Sequence, residues 1–170
     1  MSSRPFHIRV AEPKDVGIIL ELIKDLASYE KALDSVKATP ELLVKNLFET
    51  PYAHAILAFT TSTAGEDEAV GLALYFFNYS TWTGRPGLYL EDLYVKPAQR
   101  GSGIGKALFA RLARIAQDKD CARLDWSVLK WNQPSIDFYE KCLSALPMSE
   151  WVGMRLEEAG ITGLAKSDVA

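Results

Sequence analysis

Only two cysteines and two histidines occur in 170 residues. Cys121 and Cys142 are too few for a disulfide framework, and nothing near them points to thiol or metal chemistry, so both read as packing residues. His7 and His54 lie apart on strand-like segments without a third ligand at a useful spacing, so no metal is expected. Long apolar runs are missing too. The longest, such as Ala69 to Phe77, fall well short of a membrane span, so no membrane association is expected. MSSRPFHIRV lacks a secretory core segment, which points to the cytosol, with the nucleus as the alternative. There is no excess of positive charge: the formal net charge is −3, which argues against nucleic acid as a partner and suits a cationic substrate. Repeats and low-complexity segments are absent. What remains is ordinary globular composition, 48% hydrophobic and 24% charged, in a length that suits a single domain burying about 70% of its unfolded surface.

The hydrophobic periods switch along the chain in a way that defines a mixed α/β fold with a central sheet. Phe6 to Val10 reads as a strand. Glu12-Pro13-Lys14-Asp15 starts a helix whose buried stripe is Val16, Ile19, Leu20, Ile23, Leu26 and Ala27, and Tyr29-Glu30 ends it. Thr39-Pro40 is an N-cap followed by proline, opening a helix to about Phe48. Ala53 to Thr61 and Glu68 to Tyr79 read as a strand hairpin around the turn Ser62 to Asp67. A loop, Ser80 to Gly87, precedes the strand Leu88 to Val95, and its Trp82 is either a lid or a surface plug. A helix from Gly103, a strand over Leu124 to Leu129, a short helix over Pro134 to Lys141 and a final strand over Met148 to Leu156 complete the order β-α-α-β-β-β-α-β-α-β. The tail from Gly160 reads as frayed.

The chemistry is concentrated in LYLEDLYVKPAQRGSGIGKALFARLA, residues 88 to 113. A strand ends at Lys96-Pro97, and Ile104, Leu108, Leu112 and Ile115 then mark a helix packed on the sheet. Gly101, Gly103 and Gly105 remove the Cβ atoms that would keep a ligand from the backbone N–H groups of the first helical turn. With Arg100 and Lys106 this is an anion cradle suited to phosphate. The spacing is neither that of a P-loop nor that of a dinucleotide fingerprint, since Gly101 to Gly105 is G-x-G-x-G. Glu91 and Asp92 interrupt the preceding strand. Adjacent strand residues face opposite sides unless a bulge intervenes, so in a covered central strand at least one of the two acids faces a polar cavity, or is salt-bridged or at a sheet edge.

Arg100-x-x-Gly103-x-Gly105 after an acid-bearing strand, together with Trp131-Asn132-Gln133-Pro134-Ser135-Ile136-Asp137-Phe138-Tyr139, resembles the two cofactor motifs of the GCN5-related N-acetyltransferase superfamily. The resemblance implies that family's fold and an acetyl-CoA-dependent N-acetyltransferase without a metal. It implies cofactor contacts from Leu93, Tyr94 and Val95, from Arg100, Gly101, Ser102, Gly103, Ile104, Gly105 and Lys106, and from Asn132, Ser135 and Tyr139. Tyr139 matches the tyrosine that protonates the departing thiolate, a sensible acid because a phenol's pKa lies slightly above a thiol's; on its own it would read as a core tyrosine beside Phe138. Glu91 is the candidate base, through one water, and Asp92 a substrate ligand.

Tyr29-Glu30 and Tyr89-Leu90-Glu91-Asp92 narrow the resemblance to the spermidine/spermine acetyltransferases and their thialysine-acetylating relatives. Tyr29, Glu30, Glu91 and Asp92 would then line the amine channel, and a homodimer is implied, with the final strand or the Trp82 loop contributing across the interface. Ser80 stands where polyamine-acetylating members carry an acid, which favours a thialysine- or lysine-like amino acid over a polyamine, with Arg85 as a candidate partner for its carboxylate. Ser144 replaces a usual glycine, at a cost of about 1 kcal/mol if its backbone is left-handed. A non-catalytic coenzyme A-binding module and a protein lysine acetyltransferase are the alternative functions.

Overall fold

The strands expected before residue 130 all form. They are β1 (Phe6–Val10), β2 (His54–Thr61), β3 (Asp67–Ser80), β4 (Arg85–Val95) and β5 (Arg123–Trp126), in one sheet of order β1-β2-β3-β4-β5. The first four are antiparallel neighbours and β5 joins β4 in parallel. The structure, a computed structural model, describes residues 5–61 and 65–167. Residues 62–64 of the expected hairpin turn and residues 1–4 of the N-terminal stretch lie outside the described residues.

Helix α1 (Val16–Tyr29) begins where the sequence indicates. Asp15 is buried at its entry, held by Arg9 through bonds of 2.6 and 2.8 Å and accepting the Glu12 N–H at 2.7 Å. Helix α2 (Pro40–Val44) is capped by Thr39, whose hydroxyl accepts the Leu42 N–H, and it widens into a π turn through Glu49. Ile19 and Leu22 from α1 and Leu43 from α2 pack with Leu57, Phe59, Leu72, Leu74 and Tyr94 as one core face of the sheet. Helix α3 (Ile104–Asp118) buries the stripe Ile104, Leu108, Leu112. Gly71 lets α3 approach: a Cβ there would meet Ala58 Cβ, Ile104 Cγ2 and the Tyr94 carbonyl at 3.3 Å each. That close approach fixes the start of α3, and with it the glycine loop, against the central strands.

Two compact units divide the chain, Met1–Trp131 and Asn132–Ala170. The second unit holds α4 (Gln133–Asp137), which continues as a π turn to Cys142, and α5 (Glu158–Ala165). Here two expectations are corrected. Met148 to Leu156 forms no strand, because a strand needs a neighbour for its backbone groups and none of the five sheet strands pairs with it. Met148, Trp151, Val152, Met154 and Leu156 are exposed. Among the described residues the sheet therefore has five strands rather than six. Within the tail expected to be frayed from Gly160, residues through Ala165 are helical, with Glu158 in the first turn, where an acid complements the helix dipole.

Ser144 has φ of 57°, so the left-handed condition attached to its cost is met. Lys31 and Asp120 share this conformation at 60° and 55°. Each follows a helical segment whose closing bond runs five or six residues back, from Ala32 to Ala27, Cys121 to Ala116 and Ala145 to Tyr139.

Candidate active site

The glycine loop follows a single turn, Pro97–Gln99, after β4. Gly101 and Gly103 have φ of 77° and 91°, a region costly for any residue with a Cβ. Ser102 stiffens the loop by donating its hydroxyl to the Gln99 carbonyl at 2.5 Å. Gly103 is the N-cap of α3, and its carbonyl accepts from Ala107 at 3.0 Å. The N–H groups of Ile104, Gly105 and Lys106 precede that first intrahelical bond and are available to an anion at the positive end of the helix dipole. Ile104 is 1% exposed, so these donors sit on a buried anchor.

The strand leading to the loop carries a register shift beside the acids. Leu74 pairs with Asp92 and Tyr75 with Leu90, so Glu91 is the extra residue of a β-bulge. Leu90 shares a face with Tyr75, whose phenol feels the Arg111 guanidinium on α3. Beyond the bulge, Tyr94 belongs to the core on the α1 side, and Asp92, two residues before it, feels the Glu30 carboxylate at the end of α1. The bulge thus turns Asp92 away from the α3 side and towards Glu30. Burial, then the neighbouring Glu91 and Glu30, push the Asp92 carboxyl up to about 6. Burial also raises Glu30, while Glu91 is exposed. The β4–β5 ladder runs only from Gly87 with Arg123 to Leu90 with Trp126. Leu93, Tyr94 and Val95 therefore lie past the last β5 pair, so no described strand pairs with that side of β4 there, although the Val95 carbonyl accepts from Arg100.

Arg100 connects the loop to the acids. Its Nε donates to the Val95 carbonyl at 3.0 Å, and its guanidinium carbon lies 4.9 Å from the Tyr29 ring centre and 5.8 Å from that of Tyr94. Tyr29 also meets Trp131, with ring centres 5.9 Å apart, and the Lys31 ammonium lies 6.0 Å from the Trp131 ring. The sequence left Trp131 open, because no periodicity announces a contact across a hundred residues. The structure thus gathers Tyr29, Glu30, Asp92, Tyr94 and Arg100 with the glycine loop beside them.

Asn132, Ser135 and Tyr139 belong to the second unit. Asn132 is buried and its side-chain oxygen accepts the Ser135 N–H at 3.4 Å, making it the cap of α4. Tyr139 lies in the π turn, its ring centre 5.6 Å from that of Phe138. On the β3–β4 hairpin, Ser80 is buried and its hydroxyl accepts the Thr83 N–H at 3.4 Å, while Trp82 is 81% exposed. Arg85, the candidate carboxylate partner, is bound to Asp120. Among the described residues no three His, Cys, Asp or Glu side chains gather as metal ligands. No described helix is long and apolar enough to cross a membrane.

A five-stranded mixed sheet opening beside a glycine-capped helix, with half-buried acids at the opening, fits an acyl-transfer site of the coenzyme A type. The profile of the acetyltransferase (GNAT) family matches residues 20–143, and the chain belongs to that family. It is 44% identical over 165 residues to thialysine N-epsilon-acetyltransferase of Bos taurus, covering 93% of this chain and 96% of that protein. Its counterpart in Caenorhabditis elegans is 35% identical, with coverage of 94% and 97%. Among solved structures, an integron cassette protein from the mobile metagenome of V. cholerae superposes with a TM-score of 0.76 at 27% identity, over 98% of this chain and 99% of that one. The protein is an acetyl-CoA-dependent N-acetyltransferase.

Proposed function

We propose that this single-domain enzyme acetylates the ω-amine of a small cationic amino acid of the thialysine or lysine type. The carrying observation is Asp92, a half-buried carboxylate beside two further acids, whose charge a substrate ammonium would compensate. Full-length similarity to thialysine N-epsilon-acetyltransferases supports the amino acid as its bearer.

Acetyl-CoA supplies the activated acetyl group as a thioester. The first-turn N–H groups of α3, with Gly101, Ser102 and Gly103 shaping the loop and Lys106 adding charge, fit its pyrophosphate, and the open backbone of Leu93, Tyr94 and Val95 fits its pantetheine arm. An N–H there facing the thioester oxygen would be worth about 3 kcal/mol to the transition state. Asn132 and Ser135 complete the cofactor contacts. Asp92 and Glu30 hold the ammonium, and Glu91 removes its proton through a water, since an amine with a pKa above about 10 must be neutral to attack. Tyr139 returns a proton to the thiolate. The two cysteines lie in neither cofactor motif, so attack is direct and no acyl-enzyme forms.

The enzyme works in the cytosol as a homodimer. The exposed apolar stretch from Met148 to Leu156 supports the dimer, since among the described residues none of the five sheet strands pairs with it. Light scattering at micromolar concentration returning a monomer mass would remove that part of the proposal.

Comparing kcat/KM for thialysine, lysine, spermidine and putrescine tests the substrate. Thialysine should lead; a clear preference for spermidine would refute the assignment. Loss of turnover in the Cys121→Ala/Cys142→Ala double variant with folding intact would refute direct attack.

A further inference from the structure

Arg100 opens the family's cofactor motif, yet its guanidinium meets two tyrosine rings and a main-chain carbonyl. Of those rings, Tyr94 is part of the sheet core, whereas Tyr29 is the last residue of α1. Glu30 follows as the C-cap, its N–H bonded to the Leu26 carbonyl at 2.9 Å, and Lys31 then leaves the helix with φ of 60°. Such a reversal ends the helical ladder: the Lys31 N–H closes on the Ser28 carbonyl at 3.1 Å and the Ala32 N–H on the Ala27 carbonyl at 2.8 Å, so Glu30 sits in the last turn of α1 with no further helical turn beyond it.

Glu30 is moreover set against like charge. Its carboxylate acts on Asp92, which already neighbours Glu91. Like charges repel, and the end of a helix is where such a push is most easily relieved. Besides the closing backbone bonds, what opposes it is the ring directly before Glu30, since Tyr29 touches both Arg100 and Trp131. Arg100 is itself fixed to the end of β4 by its bond to Val95.

We propose that Arg100 is a positioning residue for the amine substrate: by stacking on Tyr29 it holds the end of α1, and with it Glu30, against Asp92, so that the cofactor loop and the acidic site move as one unit. The coupling is reciprocal, because whatever orders the loop through Arg100 also orders the amine site. The inference rests on the reading of Glu30 and Asp92 as amine ligands. The planar guanidinium is what the stack requires; a lysine keeps the charge but not the flat face.

The test is steady-state kinetics on the full-length enzyme with thialysine, alongside calorimetric binding of coenzyme A. Arg100→Lys should raise KM for the amine by about three- to tenfold, the size of one partly exposed cation–π contact, and lower coenzyme A affinity by a smaller factor, since lysine keeps the charge. Tyr29→Phe keeps the ring and should raise the amine KM by less than Arg100→Lys does, whereas Tyr29→Leu should reproduce the Arg100→Lys defect. The double variant Arg100→Lys/Tyr29→Leu should be no worse than the worse single one, since both remove the same contact. Thermal melts check that each variant folds, and the two mild substitutions, to lysine and to phenylalanine, carry the test if the others do not. Arg100→Lys with an unchanged amine KM, or with coenzyme A affinity falling as far as the amine KM rises, would overturn the proposal, as would additive defects in the double variant. Glu30→Gln tests the underlying reading separately: an unchanged amine KM there removes the amine-site assignment, whatever Arg100 does.

Discussion

Arg85 donates from Nε to the main-chain carbonyl of Asp120 at 3.0 Å and from a terminal nitrogen to the Asp120 carboxylate at 2.5 Å. The pair ties the start of β4 to the turn after α3. A guanidinium engaged with both a carbonyl and a carboxylate has little left for a substrate carboxylate. Arg85→Ala should therefore leave the ratio of kcat/KM for thialysine to that for putrescine within about twofold of wild type. Both side chains are largely exposed, so the loss in stability should stay within about 1 kcal/mol. Chemical denaturation and parallel kinetics on the two substrates check both outcomes.

Asp92 should trade stability for activity. Its carboxyl is raised in the fold to about 6 from an ordinary 3.8, so ionising it disfavours the native state. Its contribution to stability is fully present below the ordinary value and is lost as the pH rises through about 6, leaving a penalty of up to about 3 kcal/mol at neutral pH. Asp92→Asn should raise the neutral-pH melting temperature by several degrees and depress kcat/KM for the cationic amine. In wild type, kcat/KM should climb through pH 6 as Asp92 ionises, and the variant should lack that limb. A variant that melts lower than wild type at pH 7.5 would contradict the argument.

Arg9 and Asp15 work with the opposite sign. The bidentate bond to Arg9, with the Glu12 N–H, holds the Asp15 carboxyl below its ordinary 3.8. The associated stability is present above that value and lost as the pH falls through the lower one in the fold. Arg9→Ala would strand a carboxylate that is 2% exposed, and should cost about 3 kcal/mol and move acid unfolding to higher pH. Circular dichroism followed from pH 7 to 2 reads both.

Ser144→Gly should stabilise the protein by about 1 kcal/mol, because glycine adopts φ of 57° without Cβ strain. Denaturant titration checks it, and an unchanged midpoint would show that the serine is unstrained.

Gly103→Ala places a Cβ at φ of 91° in the cap of α3. No neighbour within 4 Å opposes that atom, so the cost is in the backbone rather than in packing. Loss of about 1 kcal/mol of stability is expected, with a larger loss in coenzyme A affinity, since the same rotation misaims the N–H groups of the first turn. Calorimetry with coenzyme A distinguishes the two effects.

What was legible in the sequence was local. Phe6–Val10, the Thr39-Pro40 cap and the start of α3 at Ile104 each announce themselves through neighbours within a turn or two. Glu91 and Asp92 stood out as acids in an apolar strand, but which way each faces depends on β3, where a shift at Leu74 and Tyr75 sets the answer. Arg85 and Pro86 read as loop, yet they pair with Ser80 and Tyr79 and lengthen β4. Leu124 to Leu129 shortens to Arg123–Trp126 and Met148 to Leu156 forms no strand, for the same reason: apolar pattern proposes a strand, but a distant partner decides it. The stack of Arg100, Tyr29 and Trp131 joins three remote segments and leaves no periodic trace.

The bulge at Glu91 also makes β4 a strand of two parities. Up to Leu90 its even-numbered residues look towards α3; from Asp92 onward they look towards α1. Removing a single residue there would not shorten the strand so much as invert half of it. Either Leu88 and Leu90 or Asp92 and Tyr94 would have to exchange sides, putting apolar side chains in the acidic opening or a carboxylate in the core. Single-residue deletions scanned along the chain should therefore be far worse tolerated at residues 90 to 92 than at the exposed turn from Thr81 to Gly84, and a length change in this strand can survive only in pairs.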